Sequence, residues 1–222
     1  MTDDNVLILA NGGWENATRL GDLVDRVDRV IAADGAWAKA VDAGIPVDLV
    51  VGDLDSLTSK ERVSLLDSGV EVHVHPPDKD FTDLELAVDG ALAMHAQKLI
   101  VFGAFGGRID HTLANVLLLE KAVERGVEVE LIVGDETAWL TRSEFTLPAG
   151  QPGDRVSLIP LSDAVVVRTD GLRYPLDDDR LVRASAHGVS NEIDDLPVRI
   201  GVRSGTLLVV HGPPPEQREV MR

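Results

Sequence analysis

The first 140 residues alternate short runs of β-branched residues with stretches whose apolar residues recur at helical spacing. This alternation predicts strands joined by helices, and such units fold as a mostly parallel sheet covered on both faces. The predicted strands span residues 6–10, 29–33, 48–51, 70–75, 98–102 and 127–133. The predicted helices span residues 15–27, 36–43, 59–66, 83–96 and 112–125.

After about residue 140 the helical periodicity ends, and short strand-like pieces separated by proline- and glycine-containing turns follow. This pattern is typical of a small β-sandwich or barrel. The predicted strands here span residues 137–142, 155–160, 164–169, 181–186, 198–202 and 206–211. We therefore predict an α/β chain with a parallel-sheet domain over residues 1–140 and an all-β sandwich domain over residues 141–222.

The net charge is −17, from 38 acidic and 21 basic residues. Such a surface repels nucleic acid and anionic membranes, so we expect neither as a partner. The charge reflects general solubility or a salt-adapted host, or else acids that bind metal or attract a cationic substrate. The chain has no cysteine, no apolar run near the ~20 residues that cross a bilayer, and an acidic N-terminal segment unlike a signal peptide. We expect a cytoplasmic location.

Acidic, polar or glycine-rich segments follow five of the predicted strands. In open parallel sheets, ligands bind beyond the carboxyl ends of the strands, which all lie at one edge. Five such segments at the same edge therefore predict a site there. They are Asn11–Gly13, Asp34–Gly35, Gly52–Ser56, Asp78–Asp83 and Gly103–His111.

Asp53 and Asp55 follow the third strand. At an extended strand end, residues two apart point the same way, so the two carboxylates would repel each other unless a cation lay between them. Carboxylate oxygens suit Mg²⁺, which keeps waters and substrate phosphates in its shell. The alternative is a pair of turn and helix-cap residues, but Thr58 already supplies the cap of the next helix.

The segment before the fourth predicted helix carries Lys79, Asp80 and Asp83. A helix N-terminus favours anions, and Lys79 would add positive charge to a phosphate site. Asp83 could instead serve only the helix dipole, whereas Asp80 lies outside the helix and is the better site candidate. Thr82 and Glu85 have the spacing of a capping box.

The loop after the fifth strand combines Gly106 and Gly107 with Arg108 and Asp110. Glycines let backbone amides approach a phosphate, and an arginine forks onto its oxygens. The loop lacks the spacing and the Lys-Ser/Thr ending of a Walker motif. Asp110 is either a site residue or the cap of the helix predicted from residue 112.

Taken together, the ordered motifs of both halves resemble the thiamine pyrophosphokinase family from about Asn11 to Val210. The motifs are Asp34–Ala36, Gly52–Ser56, Lys79–Glu85, Gly106–His111, Gly171–Leu176 and Gly188–Glu192. The resemblance implies an ATP- and Mg²⁺-binding α/β domain, a thiamine-binding β-sandwich domain, and a homodimer with active sites between subunits. It also implies transfer of the pyrophosphoryl group of ATP to the hydroxyl of thiamine, with release of AMP.

The resemblance also assigns roles to residues. Asp53, Asp55 and Asp83 would handle Mg²⁺ and phosphate, and Ser190 and Asn191 would face thiamine. Asp34, Arg108 and Asp110 would line the nucleotide and substrate site. The loop patterns themselves add further nucleotide-binding candidates: Asn11, Gly12, Gly35, Lys79, Gly106 and Gly107. Either Asp55 or Asp80 would accept the hydroxyl proton. No aromatic residue follows Tyr174, so the group that stacks on thiamine is Tyr174, a tryptophan or an aliphatic wall.

Three other functions fit parts of the sequence. The strand ending in Asp53 and Asp55 is similar to the nucleophile strand of haloacid-dehalogenase-type phosphatases, but it comes third instead of first. A pterin pyrophosphokinase would carry a related metal site. A nucleotide-binding module without catalysis is a third possibility, and only a turnover assay separates it from an enzyme.

Overall fold

The computed structural model describes residues 4–76 and 80–214. The chain divides into two compact units, the first ending at Gly134 and the second beginning at Asp135. The sequence placed the domain boundary at residue 140, which falls inside a strand of the second unit.

The first unit is built on a parallel sheet. Its strands are β1 (Asn5–Leu9), β2 (Arg29–Ala33), β3 (Leu49–Gly52), β4 (Glu71–Val74), β5 (Lys98–Phe102) and β6 (Glu128–Val133). They lie in the order β6-β5-β1-β2-β3-β4, and each neighbouring pair is parallel. Central β1 has four buried residues in a row, as expected for a strand covered on both faces. Because the six strands are parallel, their carboxyl ends lie along one edge of the sheet.

The helices of this unit connect the strands. They are α1 (Leu20–Val24), α2 (Ala36–Asp42), α3 (Ser59–Ser68), α4 (Asp83–Ala93), α5 (Ile109–Leu118) and α6 (Glu120–Val123). Thr58 and Glu61 form a complete capping box at α3, and Thr82 accepts a hydrogen bond from the Glu85 amide at α4. These caps fix where α3 and α4 begin.

Three predicted helices, over residues 36–43, 59–66 and 83–96, differ from the observed α2, α3 and α4 by at most three residues at their C-terminal ends. The first and last predicted helices differ more. The first is shorter than residues 15–27, because Asn16 is left-handed (φ 57°) and a 3₁₀ turn, Ala17–Arg19, precedes α1. The helix predicted over residues 112–125 begins earlier, at Ile109, and divides into α5 and α6 at Leu119.

The second unit is antiparallel. Its strands are β7 (Glu136–Thr141), β8 (Phe145–Thr146), β9 (Arg155–Pro160), β10 (Ala164–Asp170), β11 (Asp179–Val182), β12 (Asn191–Glu192), β13 (Arg199–Ser204) and β14 (Leu207–Gly212). β12, β9, β14 and β7 pair in that order, and β11, β10, β13 and β8 form a second sheet. Side chains of both sheets share one apolar core, including Leu158, Val167, Ile200 and Val209. The predicted α/β chain with a β-sandwich domain is confirmed; the two-residue strands β8 and β12 were not predicted.

Within the described ranges, no helix is both long enough and apolar enough to span a bilayer.

Candidate active site

A cleft of about 420 Å³ opens at the carboxyl edge of the parallel sheet. Its walls are the segments after β1, β2, β3 and β5, together with the first turns of α4 and α5, as the sequence predicted for the edge. The lining residues are Ala10, Asn11, Gly12, Ala33, Asp34, Ser56, Thr82, Asp83, Leu84, Gly103, Ala104, Gly106, Gly107, Arg108, His111 and Asn115.

Three carboxylates meet at this edge. Asp34, Asp53 and Asp83 each offer a carboxylate oxygen, and these oxygens lie within 4.8 Å of one another. Asp34 is only 2% exposed, and neither of its carboxylate oxygens has a hydrogen-bond partner in the described part of the chain. A buried carboxylate without a partner is costly unless a cation compensates it. The donor set and its burial therefore fit a hard divalent cation such as Mg²⁺.

Backbone geometry brings these carboxylates together. Asp34 has a left-handed backbone (φ 47°) at the turn from β2 into α2, and its amide donates to the Val51 carbonyl of β3 at 2.9 Å. Gly52 leaves the necessary room: a Cβ there would lie 2.8 Å from the Asp34 Cβ and 3.1 Å from Asp83 Oδ1. A side chain at residue 52 would therefore push the carboxylates apart.

Asp55 lies outside the cluster found among the described residues. Leu54 has a left-handed backbone (φ 65°), which ends the extended geometry assumed for Asp53 and Asp55. Asp55 is exposed, and its amide donates to Asp53 Oδ1 at 3.1 Å. The carboxylate cluster among the described residues therefore contains Asp34 beside Asp53 and Asp83 and does not include Asp55. The metal role predicted for Asp53, Asp55 and Asp83 stays a prediction.

The glycine-rich segments after β1 and β5 pack against each other. The Gly12 amide donates to the Gly103 carbonyl at 2.8 Å, and the Gly13 amide donates to the Phe105 carbonyl. A Cβ at Gly12 would lie 2.4 Å from the carbonyl oxygens of both Gly103 and Phe105. The amides of Gly12 and Gly13 thus form hydrogen bonds between the two loops. Three glycines of the second segment, Gly103, Gly106 and Gly107, line the cleft with positive φ.

Arg108 is the residue before α5, and Asp110 lies in the first turn of that helix. The Arg108 Nε donates to Asp110 Oδ1 at 3.1 Å, and a second guanidinium nitrogen contacts Asp110 Oδ2. This hydrogen bonding lowers the pKa of Asp110 and raises the pKa of Arg108. Asp110 therefore orients the guanidinium at the cleft rim and is not the helix cap.

The remaining predicted site residues of this unit, Gly35, Asp80 and Lys79, differ in where they lie. Gly35 is buried at the start of α2, beside the cleft, where a Cβ would lie 2.6 Å from Asn11 Nδ2. Asp80 is exposed and is not among the lining residues. Lys79 lies outside the described residues.

Sequence reasoning missed two polar residues here. Asn115 is buried on α5, lines the cleft, and donates to the Ala104 carbonyl at 2.7 Å. An asparagine inside an apolar helical run was its available signal. Lys39 on α2 donates to the carbonyls of Asn11 and Gly12, but its sequence position gave no signal.

In the second unit, Asn191 is buried and bound to the backbone of Tyr174. Its Oδ1 accepts from the Tyr174 amide at 3.1 Å, and its Nδ2 donates to the Tyr174 carbonyl at 2.7 Å. Ser190 is exposed, with a left-handed backbone (φ 61°), and its amide donates to Ser157 Oγ at 3.0 Å. The Tyr174 side chain is exposed. Ser190 and the Tyr174 side chain of the predicted substrate segments thus lie at the surface, whereas Asn191 is buried and bonded to the Tyr174 backbone.

A parallel α/β unit with glycine-rich loops and a carboxylate cluster at its carboxyl edge belongs to the nucleotide- and phosphate-handling class of α/β proteins. Residues 20–131 match the thiamin pyrophosphokinase catalytic domain, and residues 143–207 match the thiamin pyrophosphokinase vitamin B1 binding domain. The chain belongs to the thiamine pyrophosphokinase family.

Relatives and solved structures agree. Thiamine pyrophosphokinase of Bacillus subtilis is 32% identical over 183 residues, which cover 81% of this chain and 85% of the relative. The crystal structure of thiamine pyrophosphokinase from Bacillus subtilis aligns over 94% of this chain and 99% of its own, with TM-score 0.82 and 27% identity. Yeast thiamin pyrophosphokinase aligns with TM-score 0.80 over 96% of this chain and 87% of its own, and at 15% identity shows the shared fold alone. These similarities give no support to the phosphatase, pterin pyrophosphokinase or inactive-module alternatives.

Proposed function

We propose that the cleft at the carboxyl edge of the first unit transfers the pyrophosphoryl group of ATP to the hydroxyl of thiamine, giving AMP and thiamine diphosphate. Family membership makes the chain an ATP-dependent thiamine pyrophosphokinase, with ATP and thiamine as its substrates. The observation that supports this location is the Asp34, Asp53 and Asp83 cluster, in which the buried Asp34 carboxylate has no hydrogen-bond partner among residues 4–76 and 80–214.

In this proposal, Asp34, Asp53 and Asp83 hold Mg²⁺. When bound, the cation would neutralise charge on the phosphate oxygens of ATP. Asp34 is the ligand with the strongest physical argument, because its carboxylate is buried and no described residue forms a hydrogen bond with it. Asp53 and Asp83 are partly exposed and can reach a cation that also contacts substrate phosphates.

Phosphoryl transfer depends mainly on positioning and on stabilising negative charge. Arg108 faces the cleft with its guanidinium held by Asp110, so it can offer its remaining N–H groups to phosphate oxygens without a further search of rotamers. Gly106 and Gly107 let the backbone come close to the same phosphates. Asp55 or Asp80, both exposed, accepts the proton of the thiamine hydroxyl.

We place thiamine recognition in the second unit, at the surface formed by Ser190 and Tyr174. The hydroxyl of Ser190 is a short hydrogen-bonding group suited to an aminopyrimidine, and the exposed Tyr174 ring is a surface for a cationic thiazolium. Asn191 fixes the backbone that presents the ring. The family resemblance further supports a homodimer with active sites between subunits, and we propose the cytoplasm, where ATP and Mg²⁺ are available, as its location.

The decisive experiment incubates the purified chain with ATP, Mg²⁺ and thiamine and separates the products by chromatography. We expect thiamine diphosphate and AMP in equal amounts, and no product from the Asp53→Asn variant. Formation of ADP, or of a covalent phosphate on Asp53, would instead indicate a kinase or a phosphatase. Sedimentation equilibrium on the same sample should give twice the chain mass if the enzyme is a dimer.

A further inference from the structure

Lys39 on α2 is bonded to the turn that follows β1. Its Nζ donates to the Asn11 carbonyl at 3.0 Å and to the Gly12 carbonyl at 2.8 Å. The same ammonium lies 5.9 Å from the centre of the Trp14 ring, within the range of a cation–π contact. The Lys39 side chain thus contacts two successive carbonyl groups and the Trp14 ring of the Asn11–Trp14 segment.

The charge of Lys39 is not neutralised at contact distance. No carboxylate of residues 4–76 or 80–214 forms a salt bridge with it; Glu15 acts only at longer range. Burial lowers the pKa of the Lys39 ammonium, and Glu15 opposes that effect. In a chain of net charge −17, an ammonium whose hydrogen bonds within the described residues go to carbonyl oxygens is a local source of positive potential.

The turn that Lys39 holds is a wall of the cleft. Asn11 and Gly12 line the cleft, whereas Lys39 does not, and the hydrogen bonds from Lys39 fix the orientation of both carbonyl groups. Without the ammonium, both oxygens would lose a charged donor and could turn toward the cleft, where they would repel phosphate. The Asn11 carboxamide also lies against Gly35 at the start of α2, which ties the turn to the helix that carries Lys39.

We infer that Lys39 is a positioning residue for the phosphates of the nucleotide: it fixes the Asn11–Gly12 wall and places a positive charge behind it. The inference rests on the proposed function, because it needs an anionic ligand in this cleft. It assigns Lys39 no contact with the reacting atoms and no part in thiamine recognition.

Three substitutions separate the two parts of this role. Lys39→Met removes both the charge and the hydrogen bonds, Lys39→Gln keeps a donor for the carbonyls without the charge, and Lys39→Arg keeps both. Lys60→Met, on the exposed side of α3, is the matched loss of one positive charge elsewhere. ATP binding in Mg²⁺ without thiamine is measured by calorimetry, and turnover gives the KM for each substrate.

We expect Lys39→Met to weaken ATP binding by about tenfold or more, while the KM for thiamine changes by less than about twofold. Lys39→Arg should restore ATP binding to within about threefold of wild type, and Lys60→Met should match wild type. The deficit of Lys39→Gln should shrink as salt rises from about 0.05 M to about 0.5 M, because salt screens a through-space charge. A purely structural role would not give that salt dependence.

Wild-type ATP binding by Lys39→Gln at low salt would overturn the inference, and so would equal losses for ATP and thiamine. If Lys39→Met does not fold, the Lys39→Gln and Lys39→Arg pair still decides between charge and packing. If the wild type binds ATP but forms no thiamine diphosphate, the proposed function fails, and the ATP affinities of the variants still test Lys39. If the wild type does not bind ATP, both fail.

Discussion

Asn191 holds the backbone of Tyr174 from both sides: its Oδ1 accepts the Tyr174 amide and its Nδ2 donates to the Tyr174 carbonyl. The same Oδ1 also accepts from the Glu192 amide at 2.9 Å. One buried carboxamide therefore fixes the loop that carries the exposed Tyr174 ring. The Asn191 carboxamide is thus committed to backbone groups, and we expect it to act on thiamine binding through the loop that carries Tyr174.

Asn191→Ala would remove the three hydrogen bonds that its side chain makes to the backbone of Tyr174 and Glu192. We expect the variant to lose about 1–3 kcal/mol of unfolding free energy, measured by urea denaturation. The KM for thiamine should rise more than the KM for ATP, since the loop that presents Tyr174 loosens. Ser190→Ala, at an exposed neighbour, should keep wild-type stability. Equal effects of Asn191→Ala on both KM values would contradict the thiamine role of this segment.

The position of the candidate site in the fold could be predicted from the sequence, because its residues lie in the segments that follow the parallel strands. Runs of β-branched residues placed the strands, and the segments after them supplied Asp34, Asp53 and Arg108 at one edge. Parallel strands put their carboxyl ends together whatever their order in the sheet. The sequence therefore predicts that these residues lie at the carboxyl edge of the sheet, without knowledge of any contact.

The detailed composition of the cluster was not predictable in the same way. Asp34 meets Asp53 because β2 pairs with β3, and periodicity does not give strand neighbours. Asp55 is lost from the cluster because Leu54 has a left-handed backbone, which leucine rarely adopts. Lys39 reaches Asn11 across 28 residues by helix packing, and no local pattern indicates such a contact.

Gly12 should tolerate no side chain, because a Cβ would lie 2.4 Å from two backbone carbonyl oxygens. We expect Gly12→Ala to cost about 1–3 kcal/mol of stability, as overpacking does, and to weaken ATP binding by separating the two loops. Gly90→Ala is the matched control: it lies within α4 and a Cβ there meets nothing within 4 Å. That control should stabilise the chain by about 0.5–1 kcal/mol. Thermal unfolding of both variants tests the contrast, and a neutral Gly12→Ala would show that the loops can move apart.

Arg108→Lys should lower kcat/KM for ATP by about tenfold or more, on the scale of a lost charge-assisted hydrogen bond of about 1.5–3 kcal/mol. Lysine cannot fork onto Asp110 and a phosphate together. Stability should not change, since both Arg108 and Asp110 are exposed. Arg125→Lys, at an exposed position after α6, serves as the control. A wild-type rate for Arg108→Lys would remove the guanidinium from the site.

The Arg108–Asp110 pair should not limit activity in mildly acidic solution. The hydrogen bond from Arg108 lowers the pKa of Asp110 below its ordinary 3.8. The pair is therefore fully formed above that ordinary value and is lost only as pH falls through the lowered one. Between about pH 5 and about pH 8, the ratio of wild-type to Asp110→Asn kcat/KM should stay constant, as steady-state assays would show. A ratio that falls toward 1 near pH 5 would contradict this assignment.

The carboxylate cluster predicts that the effect of Asp34→Asn on stability changes sign when Mg²⁺ is added. Without metal, Asp34, Asp53 and Asp83 repel one another, and the Asp34 carboxylate is buried without a described hydrogen-bond partner. Asp34→Asn removes one of these charges, so in EDTA the variant should unfold at a higher temperature than wild type. Its unfolding free energy should exceed that of wild type by about 1 kcal/mol or more. With Mg²⁺ the order should reverse. Wild type should gain about 2.7 kcal/mol at a Mg²⁺ concentration 100 times its Kd, and Asp34→Asn should gain much less.

Asp55→Asn, outside the cluster, should keep the Mg²⁺-dependent gain, as should Asp67→Asn on the exposed side of α3. Thermal unfolding of the four proteins in EDTA and in Mg²⁺ gives all of these values. If Asp34→Asn gains as much from Mg²⁺ as wild type, or if Asp55→Asn alone loses the gain, the cation is held by a different set of carboxylates.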